Sequence, residues 1–335
     1  MYKTAIIGCG KISSDLDPGR GYIVTHAGAY TYLDRTKLVA LCDINEDKLK
    51  KTGEKWGISN LYKNYKEMFD KEDIDILSIC TWNSTHHEIV EYATNFKVRA
   101  ILCEKPIATT LKEADNMINL CNKNNILLSV NHQRRFDKFH RKIKDYIDQG
   151  NLGEIQQASF YYSSGVANFG SHMFDLLRYF FQEPDFIQGY YKNNLDDPNI
   201  DGLLKFKGGL ITTIQSFDKE KHSIFDLYIY GTKGAIKITN FGLGIEMYNI
   251  KNSKLLPGYK ELSRTKSNIT RNKKDSPIVH GIENIIKTLE NKSKLLSAGE
   301  DGREALALIC AFHESAIDNG RQIKLPLKTS NIKIK

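Results

Sequence analysis

The sequence predicts an α/β domain with a doubly wound parallel sheet, followed by an α+β domain carrying a large, mainly antiparallel, open-faced sheet. Three observations predict this. Over the first 130 residues short apolar runs alternate with helix-period segments, the mark of βαβ units. From residue 154 the pattern changes to short strands rich in Ile, Tyr, Phe and Thr, broken by Gly-Gly, Gly-Thr-Lys-Gly and Asp-Lys-Glu. The length of 335 residues exceeds one typical core, and the expected domains are 1–128 and 129–335.

The elements follow in order. Apolar runs at 4–7, 38–42, 74–80, 100–103 and 126–130 read as strands buried on both faces. Helical stretches lie between them at 45–56, 65–69 and 87–94. Thr110 and Glu113 form a capping box, and Leu111, Ala114, Met117, Ile118 and Cys121 repeat at helical spacing behind it. In the second half, 154–163, 186–192, 202–206, 210–217, 225–230 and 235–239 read as strands. Helical periodicity returns at Ile282, Ile285, Ile286 and Leu289, and again at Ala305, Leu308, Ile309, Phe312 and Ala316. These late helices are expected to return to the first domain, which leaves one face of the second sheet uncovered. An uncovered face with many apolar side chains is a partner surface, so a homodimer or homotetramer is expected through that sheet.

Composition narrows the class. With 41% hydrophobic and 26% charged residues the chain reads as an ordinary soluble globular protein. No run of 18 apolar residues exists, and the N-terminus enters a strand pattern without a signal-peptide core, so no membrane partner is expected. Six cysteines (9, 42, 80, 103, 121 and 310) stand singly, without paired metal spacing. A cytoplasmic protein with neither disulfides nor metal is the reading. The net charge of +8 is modest. Part of it collects in 251–274, where eight lysines and arginines face one acid, Glu261. With little aromatic interleaving and no nucleic-acid motif, that stretch reads as a solvated loop, with attraction of an anionic substrate as its functional alternative. Nucleic acid is not an expected partner.

Three motifs carry chemistry. After the first strand comes Gly8-Cys9-Gly10-Lys11-Ile12-Ser13, a G-x-G-x-x-G/A dinucleotide fingerprint of the Rossmann fold with Ser13 in third place. The glycines allow a tight turn and close approach of a pyrophosphate, which would rest on N–H groups at the helix N-terminus. Asp43 ends the second strand, where an acid binds the adenosine ribose and repels a 2′-phosphate, so NAD is favoured over NADP. Its long spacing from Gly10 is explained by a turn-rich insertion at 15–22, and its structural alternative is a helix N-cap. Glu104-Lys105-Pro106 follows the strand at 100–103, at the edge where open α/β sheets place ligands. A lysine there can serve as proton donor or acceptor, and Glu104 can hold it by an ion pair.

With these motifs and the sheet-rich second half, the chain resembles the Gfo/Idh/MocA oxidoreductases, the family of glucose–fructose oxidoreductase and inositol dehydrogenase. The resemblance runs from residue 3 to about 327. Its further markers are Cys42-Asp43, Arg135-Phe136, the stretch 150–155 and Asp301-Gly302-Arg303-Glu304-Ala305-Leu306. Thr81-Trp82-Asn83-Ser84-Thr85-His86 resembles the family's loop on the nicotinamide side of the cofactor, with Trp82 replacing the usual proline. That tryptophan either stacks on a planar group or simply packs. Asn168-Phe169-Gly170-Ser171-His172-Met173-Phe174-Asp175 resembles the segment that faces the lysine across the active site. The resemblance implies Lys105 and His172 as the catalytic pair. It implies Asn168, Arg135 and Asp175 as substrate-side candidates, with a backbone or Arg178 partner as the structural alternative for Asp175. It implies Gly8, Gly10, Lys11, Ile12, Ser13, Asp43, Thr81, Trp82, Asn83, His86, Glu104 and Lys105 around the cofactor.

The chemistry so implied is hydride transfer between NAD and a secondary hydroxyl carbon of a sugar or sugar derivative. Asn168 stands where inositol dehydrogenases carry an aspartate, and the loop before it is short. Together with the basic stretch, these features point to a bulky, acidic or nucleotide-linked sugar. The alternatives are a polyol or inositol dehydrogenase, a redox-neutral enzyme in which NAD is recycled in place, and a non-catalytic NAD-binding regulator.

Overall fold

Apolar strand runs too short to be helices, with turn residues at their ends, fold here as expected for βαβ units. The computed structural model describes residues 1–17 and 21–335. The insertion expected at 15–22 therefore lies partly outside the described residues. In chain order the first elements are β1 (Tyr2–Ile7), α1 (His26–Tyr32), β2 (Thr36–Cys42), α2 (Glu46–Trp56), β3 (Leu61–Tyr62), α3 (Tyr65–Lys71), β4 (Ile76–Ile79) and α4 (His86–Ala93). They continue with β5 (Ala100–Cys103), α5 (Leu111–Lys123), β6 (Leu127–Val130) and α6 (Gln133–Phe136). All six strands are parallel, in the order β3-β2-β1-β4-β5-β6. β4 and β5 are buried at every position, as continuous apolar runs require. The strand order reverses between β1 and β4, so the crevice for a ligand opens at their carboxyl ends. Thr110 caps α5 through the Glu113 backbone N–H and the full capping box is present. The strand β3 was not legible: it has two residues and pairs only with the end of β2.

The second half holds α7 (Lys138–Asp148), β7 (Ile155–Tyr162), α8 (Gly170–Phe181), β8 (Pro184–Tyr191), β9 (Ile200–Phe206), β10 (Ile211–Ser216), β11 (Phe225–Gly231) and β12 (Gly234–Thr239). Then come β13 (Gly244–Asn252), β14 (Lys260–Thr265), α9 (Pro277–Leu289), α10 (Gly299–Ile317) and β15 (Ile323–Lys324). Nine strands form one sheet in the order β14-β13-β12-β11-β7-β10-β9-β8-β15. It is antiparallel except at β7 and β10, which run parallel. A parallel neighbour needs a crossover, and α8 with the β8–β9 hairpin supplies it. Phe174 of α8 meets Phe312 of α10 edge to face at 5.6 Å, and Phe181 meets Phe206 of β9 at 5.6 Å, closing the core on that side. The alternate positions on β7, β11 and β13 carry tyrosines, as a Tyr- and Ile-rich sheet would. Tyr161, Tyr228 and Tyr248 are half-buried there, with the Lys237 ammonium 5.0 and 5.2 Å from the rings of Tyr228 and Tyr248.

Two further differences from the sequence reading have physical causes. The basic stretch at 251–274 is not one solvated loop, because β13 ends in it and all of β14 lies in it. β14 is an edge strand with one apolar residue, Leu262, and so gives no alternation to read. The compact units are also discontinuous: 1–137 with 273–306, and 138–272 with 307–335, against the single boundary expected at 128/129. The reason is α9, whose Ile278, Val279, Ile282, Ile285 and Ile286 share one buried cluster with Ala27, Tyr30, Leu41, Ile76 and Leu102. α10 contributes its first turns to the first unit and the remainder to the second.

Candidate active site

The fingerprint turn is fixed by its backbone. Gly8 has φ +97°, and a Cβ there would lie 2.7–2.8 Å from the backbone of Cys80 and Thr81. Only glycine fits where β1 and β4 come this close. At Gly10, by contrast, a Cβ would meet nothing within 4 Å. That open space beside the turn's backbone is the cradle a pyrophosphate needs, and the residues present fit a dinucleotide. Ser13 satisfies the third position: it is buried and its hydroxyl donates to the Gly10 carbonyl at 2.7 Å. The helix start expected at the turn is a single π-helical turn, Lys11–Asp15, with Lys11 exposed and Ile12 packed partly on the core. The regular helix begins only at His26, with the Asp17 carboxylate accepting from Val24 N and Thr25 N at its start.

Asp43 is brought to this turn. Its Oδ2 accepts the Cys9 N–H at 2.6 Å and its Oδ1 accepts the Asn45 N–H at 2.7 Å. It is not the N-cap of α2; Asn45 takes that role by accepting from Lys48 N. On the other side of the crevice, Thr81 and Asn83 are half-buried. Trp82 is 85% exposed, so the alternative that it packs within the chain is not the one realised. His86 is fully buried and braces this loop rather than opening to it. Its Nε2 lies 3.2 Å from the Thr81 carbonyl and its Nδ1 3.2 Å from the Ile107 carbonyl. Burial pushes its imidazole below the ordinary value against the pull of those carbonyls.

Glu104 and Lys105 follow β5, with a cis bond between Lys105 and Pro106. Lys105 is half-buried, whereas Glu104 is only 8% exposed. Glu104 Oε1 accepts from His26 Nε2 at 3.0 Å and from Asn131 Nδ2 at 2.6 Å. Its Oε2 accepts the Lys105 backbone N–H at 3.3 Å. Behind His26 the row continues: Nδ1 lies 2.8 Å from Ser78 Oγ, which lies 2.7 Å from the Tyr30 hydroxyl. Burial pushes the Glu104 carboxyl up, but His26, Asn131 and the Lys105 charge outweigh it and hold it below its ordinary value. His26, Ser78, Tyr30 and Asn131 were missed by sequence reasoning. Each stands in an apolar run or a strand end, where nothing marks it as polar machinery.

In the second unit the structure brings Asn168, His172 and Asp175 onto one turn and the helix it starts. The π-helical turn Gly165–Phe169 leads directly into α8. Asn168 is exposed, His172 half-buried and Asp175 fully buried. Residues not foreseen hold this turn: Asp197 accepts from Ala167 N at 2.7 Å and Asn168 N at 2.9 Å, and Asn199 accepts from Gly165 N at 3.0 Å. Gly165, at φ +84°, leaves no space for a Cβ against Asp197. Arg178 pairs with Glu183 through two hydrogen bonds at 2.9 and 2.5 Å. Asn199 also donates to the Phe217 carbonyl, and Phe217 lines a cavity of about 630 Å³ with Lys192, Asp201, Asp218, Lys221 and His222. Arg135 lies on α6 and pairs with Asp301 at 3.0 Å within the first unit.

The Lys251–Lys260 tip of the basic stretch lies away from the Asn168 turn, whereas β14 runs back from that tip, with Arg264 opposite Tyr248. Phe169 meets Phe241, in the β12–β13 turn, at a ring distance of 6.5 Å. Lys251, Lys254 and Lys260 stand at the other end of β13, roughly 27 Å of strand away at 3.4 Å per residue. A lysine side chain does not span that distance. Among the described residues no group of His, Cys, Asp and Glu is arranged to hold a metal.

Comparison with known proteins decides the family. Residues 2–132 match the oxidoreductase family with an NAD-binding Rossmann fold, and residues 163–237 match the GFO/IDH/MocA C-terminal domain. The chain belongs to the Gfo/Idh/MocA oxidoreductase family. Gfo/Idh/MocA membership makes it an NAD-dependent oxidoreductase. Myo-inositol 2-dehydrogenase of Thermotoga maritima is 25% identical to it, over 92% of this chain and 97% of that one. D-apiose dehydrogenase of Rhizobium rhizogenes is 24% identical, over 96% and 97%. Among solved structures, the WlbA dehydrogenase of Bordetella pertussis, in complex with NADH and UDP-GlcNAcA, has a TM-score of 0.79 at 20% identity, over 98% of this chain and 99% of that one.

Proposed function

We propose that this Gfo/Idh/MocA protein transfers a hydride between NAD and a secondary hydroxyl carbon of a bulky sugar derivative, with acidic or nucleotide-linked sugars as the substrate class. The observation that carries the reading is Lys105 at the carboxyl end of β5, seated on the ionised Glu104 and beside a turn that fits a dinucleotide. When bound, the nicotinamide takes or returns the hydride. The Gly8–Gly10 turn receives the pyrophosphate and Asp43 the ribose hydroxyls, while Thr81, Trp82 and Asn83 line the nicotinamide side. Lys105 moves the hydroxyl proton, a task for which a group must lie within about 3 Å of the oxygen. His172 is the second proton-handling candidate. Asn168, whose amide both donates and accepts, fixes a substrate hydroxyl.

The substrate class rests on the exposed Asn168 and on the short turn before it, with the neighbouring cavity supplying room. That cavity holds two lysines and two aspartates, so it offers hydrogen-bonding groups rather than a net field. The lysines of the β13–β14 tip do not reach the Asn168 turn. The inositol and apiose dehydrogenases among the relatives favour a second reading, a polyol or free-sugar dehydrogenase.

A thermal-shift screen separates the two. A nucleotide sugar should raise the melting temperature of the NAD complex and then turn over with net NADH change. If only free inositol or another polyol does so, the second reading replaces the first. Turnover without net NADH would identify recycled cofactor. Turnover kept by Lys105→Met would show that Lys105 is not the proton-transfer group, whereas catalysis by Lys105 predicts a loss of roughly 100-fold or more. We further propose a homodimer or homotetramer joined through the nine-stranded sheet, for which light scattering is the test. A reducing, cytoplasmic setting is supported by six buried cysteines that form no disulfide.

A further inference from the structure

The row of buried polar groups beneath Lys105 has a direction. A carboxylate can only accept, so His26 Nε2, 3.0 Å from Glu104 Oε1, carries a proton. Behind it Nδ1 lies 2.8 Å from the Ser78 hydroxyl, which lies 2.7 Å from the Tyr30 hydroxyl. Asn131 adds a second donor to the same oxygen at 2.6 Å, its Nδ2 lying 3.5 Å from His26 Nε2. The remaining carboxylate oxygen is folded back under the Lys105 backbone. Tyr30, His26, Ser78 and Asn131 are all buried, so this arrangement is shielded from water and each bond in it strengthens its neighbours.

We propose that His26 and Asn131 are positioning residues for Lys105: through Glu104 they hold a fixed, ionised carboxylate beneath the lysine and so set the pH at which its ammonium gives up a proton. This rests on the reading of Lys105 as the proton-transfer group. A buried carboxylate lacking donors takes up a proton. Glu104 keeps its charge because three N–H groups converge on it. The other titratable groups acting on that carboxylate do not replace them. Burial keeps Cys80 and Cys103 as neutral thiols, and it keeps His86 neutral on α4. The charge that Glu104 presents to Lys105 therefore depends on His26 and Asn131.

The sign follows. A neighbouring carboxylate favours the ammonium form, so loss of its charge lets Lys105 deprotonate at lower pH. The readout is competitive acetylation of the full-length, NAD-saturated protein across the neutral to alkaline range. Mass spectrometry of the Lys105 peptide reports it, with exposed Lys51 as reference. His26→Leu should move the Lys105 labelling midpoint down by about one pH unit or more. His26→Gln, whose amide still donates, should move it less than half as far, and Asn131→Leu should move it in the same direction. A purely structural role would lower the melting temperature and leave the midpoint at its wild-type position; that result overturns the proposal. Should His26→Leu fail to fold, Asn131→Leu carries the test from the other donor, with the same two outcomes. If the midpoints move as stated while Lys105→Met keeps its turnover, the positioning stands and the catalytic reading of Lys105 fails.

Discussion

At the carboxyl edge of the parallel sheet, Gly8, Asp43, Thr81, Glu104 and Asn131 each directly follow a strand or stand within two residues of its end. At the Asn168 turn, the groups that hold the backbone, Asp197 and Asn199, come from a segment some thirty residues further along the chain. The first region is therefore dictated by strand geometry and is rigid by construction. The second is a surface turn whose shape depends on one carboxylate and one amide. A common cofactor suits the first arrangement; a variable substrate suits the second, because a new loop can be accommodated without disturbing a sheet.

Substitutions at each region test this contrast. Gly8→Ala forces an L side chain into a positive φ and against the Cys80–Thr81 backbone, and should destabilise the fold by about 3 kcal/mol or more. Denaturant unfolding would measure it, and near-wild-type stability would show that the β1–β4 approach is pliable. Glu104→Gln should cost about 2–4 kcal/mol at neutral pH by disrupting the buried row. Because the folded Glu104 value lies below the ordinary 4.5, its contribution is complete above that pH and is lost as pH falls through the folded value. The stability gap between wild type and Glu104→Gln should thus narrow in acid. A gap that widens there would contradict an ionised Glu104.

Asp197→Ala removes the acceptor of two N–H groups at a partly exposed turn, and about 1–3 kcal/mol is expected. Calorimetry should find NAD affinity unchanged, since the change lies wholly in the second unit; a large loss of NAD binding would break the contrast. Gly10→Ala should have the smallest effect on the fold, within about 0.5 kcal/mol, because its φ is ordinary and the space beside it is open. Its effect belongs to binding instead. A methyl group in the cradle should weaken NAD at least tenfold, about 1.4 kcal/mol.

Legibility in the sequence follows the same division. Gly8, Gly10, Asp43 and Lys105 were readable because local strand ends place them, and the five apolar runs gave strands of the parallel sheet. β3 was too short to register, and β14 too polar, since an edge strand needs no buried alternation. Asp197 and Asn199 gave no signal because their partners are backbone N–H groups distant in sequence. His26 and Asn131 were hidden by their surroundings: each looks like an isolated polar residue beside an apolar run. Tyrosines on the alternate face of the second sheet, rather than aliphatic residues, could not be told from core aromatics by spacing alone.

The return of α9 bears on how the chain emerges from a ribosome. The first 137 residues contain the entire parallel sheet, yet one wall of its hydrophobic cluster is supplied by Ile278, Val279, Ile282, Ile285 and Ile286. At about 5–20 residues per second, roughly eight to thirty seconds separate synthesis of α6 from completion of α9. For that interval the nascent sheet has the share of the cluster that Ala27, Ala29, Tyr30 and Leu49 supply, but lacks the part that α9 adds. Holding chaperones have a defined surface and a defined window in which to act, and a stalled or truncated message that ends before α9 leaves that part of the cluster unfilled.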